Sequence, residues 1–241
     1  MKKSNKKARY SVVLPVYNEE KNIPIIVEKY EIINEFCPIE IIFVEDGSSN
    51  DKTREILKKI EIKKSFVKAL FTTEKGYGIS IFNGLKSCSS DYVSWTHADL
   101  QTDPIDTYKA FKIISKYNGE VYVKGLRKGR PFFDSLFTFG MSFFETILFR
   151  TKLIDVNGQP NMFDKLFLKK LDNPPKDFAF DLYCYYVAKR SKYIIKRFPV
   201  SFRSRIHGFS KWNINKFSKI KFILRVIRYS LKLKRMKFKK T

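Results

Sequence analysis

Oxygen-bearing side chains are concentrated in the stretch WTHADLQTDP, residues 95–104, directly after an apolar run. Asp99 and Gln101 are two residues apart, and carboxylate and amide oxygens are ligands that hard divalent cations such as Mg²⁺ and Mn²⁺ prefer. Such a cation offsets the negative charge that develops on a phosphate leaving group. The run at residues 92–96 has the composition of a buried strand, and Pro104 begins a helical pattern. We therefore expect Asp99 and Gln101 in a strand-to-helix loop.

The first half of the chain repeats the same order of strand, turn and helix. Apolar runs predict five strands, with helices between them at the spacing of βαβ units. The predicted strands are residues 11–16, 39–44, 67–71, 92–96 and 120–124. These runs are apolar throughout rather than alternating, which favours a sheet covered on both faces. The predicted fold class is α/β, with a mostly parallel, Rossmann-like central sheet flanked by helices. In such sheets the loops at the carboxyl ends of the strands line the ligand crevice.

Positive charge is concentrated at the end of the chain. The formal net charge is +24, and nineteen Lys or Arg residues but no acidic residue follow Asp181. Such a tail suits either nucleic acid or an anionic membrane leaflet. Residues 216–240 carry an apolar stripe at helical spacing, which predicts an amphipathic C-terminal helix lying on a membrane surface or, alternatively, packed on the body. The stripe consists of Ile220, Ile223, Leu224, Ile227 and Leu231.

A second segment, residues 132–149, is mostly apolar and rich in phenylalanine. Asp134 and Glu145 interrupt it, and its length is marginal for a membrane span. Its aromatic side chains suit either a plain core or a membrane interface, and we favour the interface. The three cysteines form no disulfide framework and residues 1–10 lack the apolar core of a signal peptide, so a cytoplasmic location is expected.

Three polar clusters end the first, second and fourth predicted strands: PVYNEE, VEDGSSND and THADLQTDP. In order and spacing they resemble the family 2 glycosyltransferases with the GT-A fold, and particularly the polyprenyl-phosphate and dolichyl-phosphate sugar transferases. The resemblance covers about residues 10–212. It implies a basic N-terminal tail at residues 1–9, a GT-A glycosyltransferase domain at 10–212 and a basic amphipathic membrane-surface tail at 213–241.

The resemblance also implies residues that bind the nucleotide sugar and a divalent metal. The nucleotide-sugar residues are Pro15, Tyr17, Asn18, Glu19, Asp46, Asn83, Gly84, Ala98 and Asp99. Asp46 would read the base or the ribose, although an aspartate there also suits a turn. Asp99 and Gln101 would hold Mg²⁺ or Mn²⁺. His97 replaces the first aspartate of the usual Asp-x-Asp pattern, and is either a phosphate donor, a minor ligand for manganese, or an ordinary loop histidine.

Acceptor and phosphate contacts follow from the second half of the resemblance. The acceptor and phosphate residues are Arg127, Gln159, Arg203, Ser210 and Lys211. The residues implied to be catalytic are Asp99, Asp181, Arg205 and Lys211, the last two from a closing loop over the diphosphate.

The expected function is an inverting, metal-dependent glycosyltransferase that moves a sugar from a nucleotide-diphosphate sugar to a polyprenyl phosphate. It would be peripheral on the cytoplasmic face of the membrane, with no nucleic-acid partner. One alternative is transfer to a sugar hydroxyl in surface polysaccharide or glycolipid synthesis, with Asp181 as general base. Another is a non-catalytic protein of the same fold that binds nucleic acid or a membrane.

Overall fold

Seven strands form one sheet with helices on both of its faces. The computed structural model describes residues 7–130, 132–207 and 216–236. The strands are β1 (Tyr10–Val16), β2 (Ile39–Glu45), β3 (Val67–Phe71), β4 (Tyr92–Trp95), β5 (Val121–Lys128), β6 (Asn161–Asp164) and β7 (Ile194–Ser201). The helices are α1 (Asn22–Phe36), α2 (Thr53–Lys63), α3 (Tyr77–Ser87), α4 (Ile105–Ile114), α5 (Phe132–Phe149), α6 (Phe180–Arg190) and α7 (Lys216–Arg235).

The sheet is mostly parallel, as the apolar runs predict. Its strand order is β3-β2-β1-β4-β6-β5-β7, and β6 alone among these strands runs antiparallel, between β4 and β5. The five strands predicted in the first half, β1 to β5, are confirmed with small shifts at their ends. Because the other strands run in one direction, their carboxyl ends meet at one edge of the sheet, which we call the carboxyl edge.

Alternation along the central strands divides the core into two halves. Val12 and Leu14 of β1 face one half, in which α1, α2 and α4 pack, whereas Val13 faces the other, in which α3 and α6 pack. Strand residues point to opposite faces in turn, so a strand covered on both sides must be apolar at nearly every position. This packing explains the unbroken apolar runs of β1 and β2.

The sequence did not predict β6 and β7. β6 has only four residues, too few for a periodic pattern, and β7 contains Lys196, Arg197 and Pro199. β7 lies at the edge of the sheet, where a proline is tolerated because one side of the strand needs no ladder hydrogen bond. Its pairing with β5 is a long-range contact that no local pattern reports.

The two helices with predicted membrane character lie next to each other. α5 and α7 pack together, and the α7 residues Ser230 and Leu233 are buried against the body. On α5, Leu136, Phe139, Phe143 and Ile147 form an exposed stripe at helical spacing. Within the described part of the chain, none of the helices combines the length and the apolar character needed to cross a bilayer.

Substituting Gly84 of α3 tests how closely this helix approaches the sheet. A Cβ atom added there would lie 2.4 Å from Val13 Cγ1 and 2.9 Å from Val44 Cγ2. Gly84→Ala should therefore destabilise the fold by about 1–3 kcal/mol through overpacking, measured by urea unfolding. The control, Gly140→Ala on α5, meets no atom within 4 Å and should be neutral or stabilising by up to about 1 kcal/mol. Equal stabilities of the two variants would contradict this close packing.

Candidate active site

The loops after β1 and β2 are joined by reciprocal hydrogen bonds at the carboxyl edge. Asn18 Nδ2 donates to Asn50 Oδ1 (2.7 Å), and the Asn50 backbone N–H donates to Asn18 Oδ1 (2.9 Å). The Glu19 backbone N–H donates to Thr53 Oγ1 (2.8 Å). Asn18 has a positive φ of 53°, which asparagine tolerates better than most residues. The first two polar clusters of the sequence therefore form one connected surface.

Asp46 connects the loop after β2 with the beginning of α3. Its Oδ1 accepts the Ser48 backbone N–H (3.1 Å), and its Oδ2 accepts the Gly76 backbone N–H (3.0 Å). The first contact is the turn role expected of an aspartate at this position. The carboxylate is only half-buried at the carboxyl edge, so contact with a base or ribose stays a prediction.

Asp99, Gln101 and Arg205 form the centre of the candidate site. The buried Asp99 carboxylate forms an ion pair with Arg205 (Oδ2 to Nη2, 3.0 Å), and its Oδ1 accepts the Gln101 backbone N–H (3.1 Å). Gln101 Nε2 donates to the backbone carbonyl of Arg203 (3.1 Å), whose own N–H donates to the Gln101 carbonyl (2.9 Å). The loop after β7 is thereby held against the loop after β4.

Glu19 faces the same centre from the first loop. Burial and, to a smaller extent, the nearby Asp99 carboxylate together raise the pKa of Glu19 to about 7, against the opposing effects of Asn22 and Arg205. His207 lines a small polar pocket together with Asn18 and Glu19, so the loop after β7 also reaches the first loop. Arg205 is thus paired with Asp99 and lies near enough to Glu19 to oppose the rise of its pKa.

The donor set at this centre fits a divalent cation that is also held by phosphate. Among the described residues, no group of three or more His, Cys, Asp or Glu side chains lies close enough to hold a metal ion. Mg²⁺ is commonly held by one or two carboxylates together with substrate phosphates and water, and Mn²⁺ accepts the same oxygen ligands. The Asp99 carboxylate and the Gln101 amide oxygen would supply the protein's share, and Arg205 would have to move away from Asp99.

His97 is part of an aromatic stack. Its ring stacks on Tyr77 with centroids 5.4 Å apart, and Tyr77 stacks on Phe178 at 4.5 Å. This stacking fits the alternative that His97 is an ordinary loop histidine, because a neighbouring aromatic side chain holds its ring. Whether it also donates to a phosphate stays a prediction.

A buried polar network contains Gln159 and Asp181, two residues that are predicted to face the acceptor. Gln159 Nε2 donates to Asp181 Oδ1 (2.7 Å) and to the Tyr77 hydroxyl (3.2 Å), and Asn161 Nδ2 donates to Gln159 Oε1 (2.9 Å). Lys124 Nζ donates to Asn161 Oδ1 (2.7 Å). Asp181 is 2% exposed. Burial, and then the negative charge of Asp181, raise the pKa of Tyr77 well above its usual value, so its hydroxyl stays protonated.

Arg127 is engaged in an ion pair at the end of β5. Its Nε donates to Asp155 Oδ1 (2.8 Å), its Nη2 contacts the same oxygen, and its backbone N–H donates to Asp155 Oδ2 (2.8 Å). Burial is the largest single effect on the pKa of Asp155 and raises it. The charge and the hydrogen bonds of Arg127 together outweigh burial, so the pKa of Asp155 is lowered. Arg127 would therefore bind an acceptor phosphate while it is still paired with Asp155. Its role in binding the acceptor stays a prediction.

A largely apolar cleft lies between α5, α6 and α7. Arg127 and Glu145 are the charged residues that line it, and the Glu145 side chain is buried. Burial raises the pKa of Glu145 to about 8, so the group is mostly neutral at pH 7. The apolar lining residues are Phe137, Met141, Val156, Phe178, Ala179, Leu182, Ile223 and Val226.

Several assigned residues lie outside this centre. Asn83 donates from its Nδ2 to Glu74 Oε2 (3.2 Å) on the surface of α3, and Gly84 is buried against the sheet. Ala98 is buried beside Asp99, whereas Pro15 and Tyr17 are partly exposed at the end of β1. Ser210 and Lys211 lie outside the described residues. The donor, acceptor and catalytic roles of these residues stay predictions.

Sequence reasoning missed Tyr77, Lys124, Asn161 and Phe178. Lys124 left one signal, because a lysine follows three apolar residues in the middle of β5. A charge inside an otherwise apolar strand requires a partner in the interior. The other three residues show no local pattern that separates them from ordinary core or turn positions.

The mostly parallel sheet, with its strand order and its helices on both faces, is a GT-A glycosyltransferase fold. The model of glycosyl transferase family 2 matches residues 11–171, which include β1 to β6. This chain therefore belongs to glycosyl transferase family 2.

Curated relatives share part of this region. The chain is 34% identical over 108 residues to an undecaprenyl-phosphate 4-deoxy-4-formamido-L-arabinose transferase of Yersinia enterocolitica, covering 43% of this chain and 33% of the relative. It is 34% identical over 131 residues to the protein of the same name from Pectobacterium atrosepticum, covering 53% and 38%. The chain thus spans about a third of the length of these relatives.

Solved structures agree with the fold over nearly the whole chain. Glucosyl-3-phosphoglycerate synthase from Mycobacterium tuberculosis, in complex with Mn²⁺, UDP and glucosyl-3-phosphoglycerate, superimposes with a TM-score of 0.73. The match covers 97% of this chain and 82% of that chain at 15% identity. The same enzyme with Mg²⁺ and UDP gives a TM-score of 0.70 at 15% identity, with the same coverage. At this identity the likeness shows the fold alone.

Asp99→Asn tests the assigned metal ligand. The substitution keeps the size of the side chain but removes its charge, so metal-dependent nucleotide binding should fall on the order of 100-fold. The measurement is calorimetric titration of UDP and of GDP with and without Mn²⁺. The control, Asp103→Asn, changes a second aspartate of the same loop that instead pairs with Lys29 at the surface. His97→Asp should retain binding. Unchanged Mn²⁺ dependence in Asp99→Asn would contradict the assignment.

Proposed function

We propose that this chain is an inverting, metal-dependent glycosyltransferase that transfers a sugar from a nucleotide-diphosphate sugar to a polyprenyl phosphate. The observation that carries the proposal is the cluster of Asp99, Gln101 and Arg205 at the carboxyl edge. It combines oxygen ligands for a divalent cation with a guanidinium that suits a diphosphate. The names of the curated relatives support the lipid phosphate as acceptor, and the Mn²⁺ and Mg²⁺ complexes of the structural neighbours support a divalent metal.

In this reaction an acceptor phosphate oxygen attacks the anomeric carbon while the bond from that carbon to the diphosphate breaks. A bound Mg²⁺ or Mn²⁺ would neutralise charge on the diphosphate. Arg205 moves from the Asp99 carboxylate to the leaving diphosphate, and the loops after β1 and β2 hold the nucleotide. The acceptor phosphate arrives deprotonated and needs no protein base.

Transfer to a sugar hydroxyl is the second candidate, because Asp181 is a carboxylate on the acceptor side. Its burial and its hydrogen bond from Gln159 argue against a base that must reach a hydroxyl. A general base has to lie within hydrogen-bonding distance of the proton that it removes. The geometry therefore favours the phosphate acceptor over the hydroxyl.

We further propose that the protein is peripheral on the cytoplasmic face of an anionic membrane. The exposed stripe of α5 supports this, because Phe139, Phe143 and Ile147 are each at least 60% exposed. The neighbouring α7 carries the exposed basic residues Arg225, Arg228 and Lys232. Apolar side chains beside cations are the combination that binds anionic membrane surfaces.

The acceptor is tested by transfer assays on the wild type and Asp181→Asn. A panel of UDP and GDP sugars is supplied with undecaprenyl phosphate in detergent or with soluble oligosaccharides. We expect transfer to the lipid phosphate, and a loss within about tenfold in Asp181→Asn, since the asparagine oxygen still accepts from Gln159. Loss of a general base costs on the order of 100-fold or more. Transfer only to oligosaccharide, together with such a loss, would favour the hydroxyl acceptor.

The membrane surface is tested by substituting the stripe. Phe139→Gln with Phe143→Gln should weaken binding to vesicles containing anionic phosphatidylglycerol roughly tenfold or more, because burying a phenylalanine contributes about 1.5–3 kcal/mol. The control is Ile62→Gln on α2, which removes an even more exposed apolar side chain, 87% exposed, from another part of the surface. Cosedimentation measures binding. Equal weakening by both changes would contradict a specific membrane face. Deleting α7 is a less clean test, because Leu233 is part of the core.

A further inference from the structure

Lys124 is a buried charge that the proposed chemistry does not use. It lies in β5 with a relative exposure of 0%. Its ammonium donates to the Gly158 carbonyl (2.7 Å) and to Asn161 Oδ1 (2.7 Å), and it lies 5.6 Å from the centre of the Tyr185 ring. Burying an ammonium group is costly unless its hydrogen bonds are satisfied, so a lysine here calls for a specific reason.

The hydrogen bonds of Lys124 determine the direction of a chain of side-chain amides. A protonated lysine has donors only, so the group that the ammonium contacts on Asn161 must be the oxygen. Tyr122 donates to the same oxygen (3.1 Å). Asn161 Nδ2 then points to Gln159 Oε1, and Gln159 Nε2 points to Asp181 Oδ1. Each link donates in the same direction, from the ammonium toward the carboxylate.

The charges around Lys124 also place a cation at the donor end of this chain of hydrogen bonds and a carboxylate at its acceptor end. Burial lowers the pKa of Lys124 to about 7, and the nearby Arg197 and Arg127 also lower it. Asp181 and Asp155 oppose the shift. Among these charged groups, Asp181 has the largest effect, so the cation and the carboxylate at the two ends of the chain stabilise each other.

We propose that Lys124 is a positioning residue, which through Asn161 holds the Gln159 amide in one orientation against Asp181 and Tyr77 on the acceptor side. This inference rests on the proposed function for the identity of that side. Lys124 itself touches neither donor nor acceptor. Its effect is to hold the chain from the donor end, as the acceptor-only Asp181 carboxylate holds it from the other end. Without Lys124, Asn161 and Gln159 are held from one end only, and Gln159 and Tyr77 are less firmly fixed while the acceptor is in place.

Two substitutions separate the hydrogen bond from the bulk of the side chain. Lys124→Met keeps the length but removes the donors, whereas Lys124→Gln keeps an N–H for Asn161. We expect Lys124→Met to lower kcat for transfer by up to about tenfold, with unchanged KM for the nucleotide sugar, and Lys124→Gln to restore most of it. The control, Lys152→Met, removes an exposed lysine and should behave as wild type.

An NMR measurement reads the amide orientation without any acceptor. The chain contains only two glutamines, Gln101 and Gln159, so ¹⁵N-glutamine labelling gives two side-chain NH₂ pairs. In the wild type the Gln159 pair should be protected from hydrogen exchange, and Lys124→Met should shift it and remove that protection. The Gln101 pair, which is bonded to Arg203 at the surface, is the internal reference and should not change.

Unchanged Gln159 signals and unchanged kcat in a folded Lys124→Met protein would overturn the inference, as would equal losses in Lys124→Met and Lys124→Gln. If Lys124→Met does not fold, Asn161→Asp breaks the next link, since it keeps the oxygens for Lys124 but loses the donor to Gln159. Gln159 must then lose its protection in that variant for the inference to stand. A wild-type protein that transfers nothing to undecaprenyl phosphate contradicts the proposed function, whereas the NMR result tests Lys124 separately.

Discussion

The organisation of the site depends on the direction of β6. An antiparallel strand begins at the edge where its parallel neighbours end, so Asn161, the first residue of β6, lies opposite both Trp95 of β4 and Lys124 of β5. The segment that leads into β6 therefore carries Gln159 to the carboxyl edge. It lies so close to β5 that a Cβ atom on Gly125 would be 2.0 Å from the Gln159 carbonyl oxygen. Gln159, a predicted acceptor residue, reaches this edge because one strand is reversed.

Opposite charges are paired at three depths in this protein. At the carboxyl edge, the partly exposed Arg205 is paired with Asp99. Below it, Arg127 and Asp155 form a more deeply buried pair. In the interior, Lys124 and Asp181 are joined only through two amides. Because the effective dielectric constant falls with depth, the outer pair is the one suited to rearrange on ligand binding, and the inner groups are suited to stay fixed.

The sequence predicted what depends on local patterns. Strands β1 to β5 were recognisable because burial on both faces requires continuous apolar runs, and the polar clusters at their ends follow from turn chemistry. It could not predict that Arg205 pairs with Asp99 or that Arg203 bonds Gln101, since these contacts join loops separated by about a hundred residues. Lys124 was overlooked because its partners lie on another strand, and the packing of Gly84 against Val13 and Val44 became visible only once the helix was placed on the sheet.

The reversed strand also orders events during synthesis on the ribosome. The half-sheet β3-β2-β1-β4 needs only residues up to Trp95, and its four strands are joined by three parallel pairings, all of them complete once β4 has emerged. β5 emerges next but has no neighbour until β6 and then β7 are made. Domains tend to fold from the amino terminus as they are translated. This half-sheet can thus assemble early, while β5 waits for its partner strands, so the interval between Val121 and Asn161 is when a chaperone would matter most to this chain.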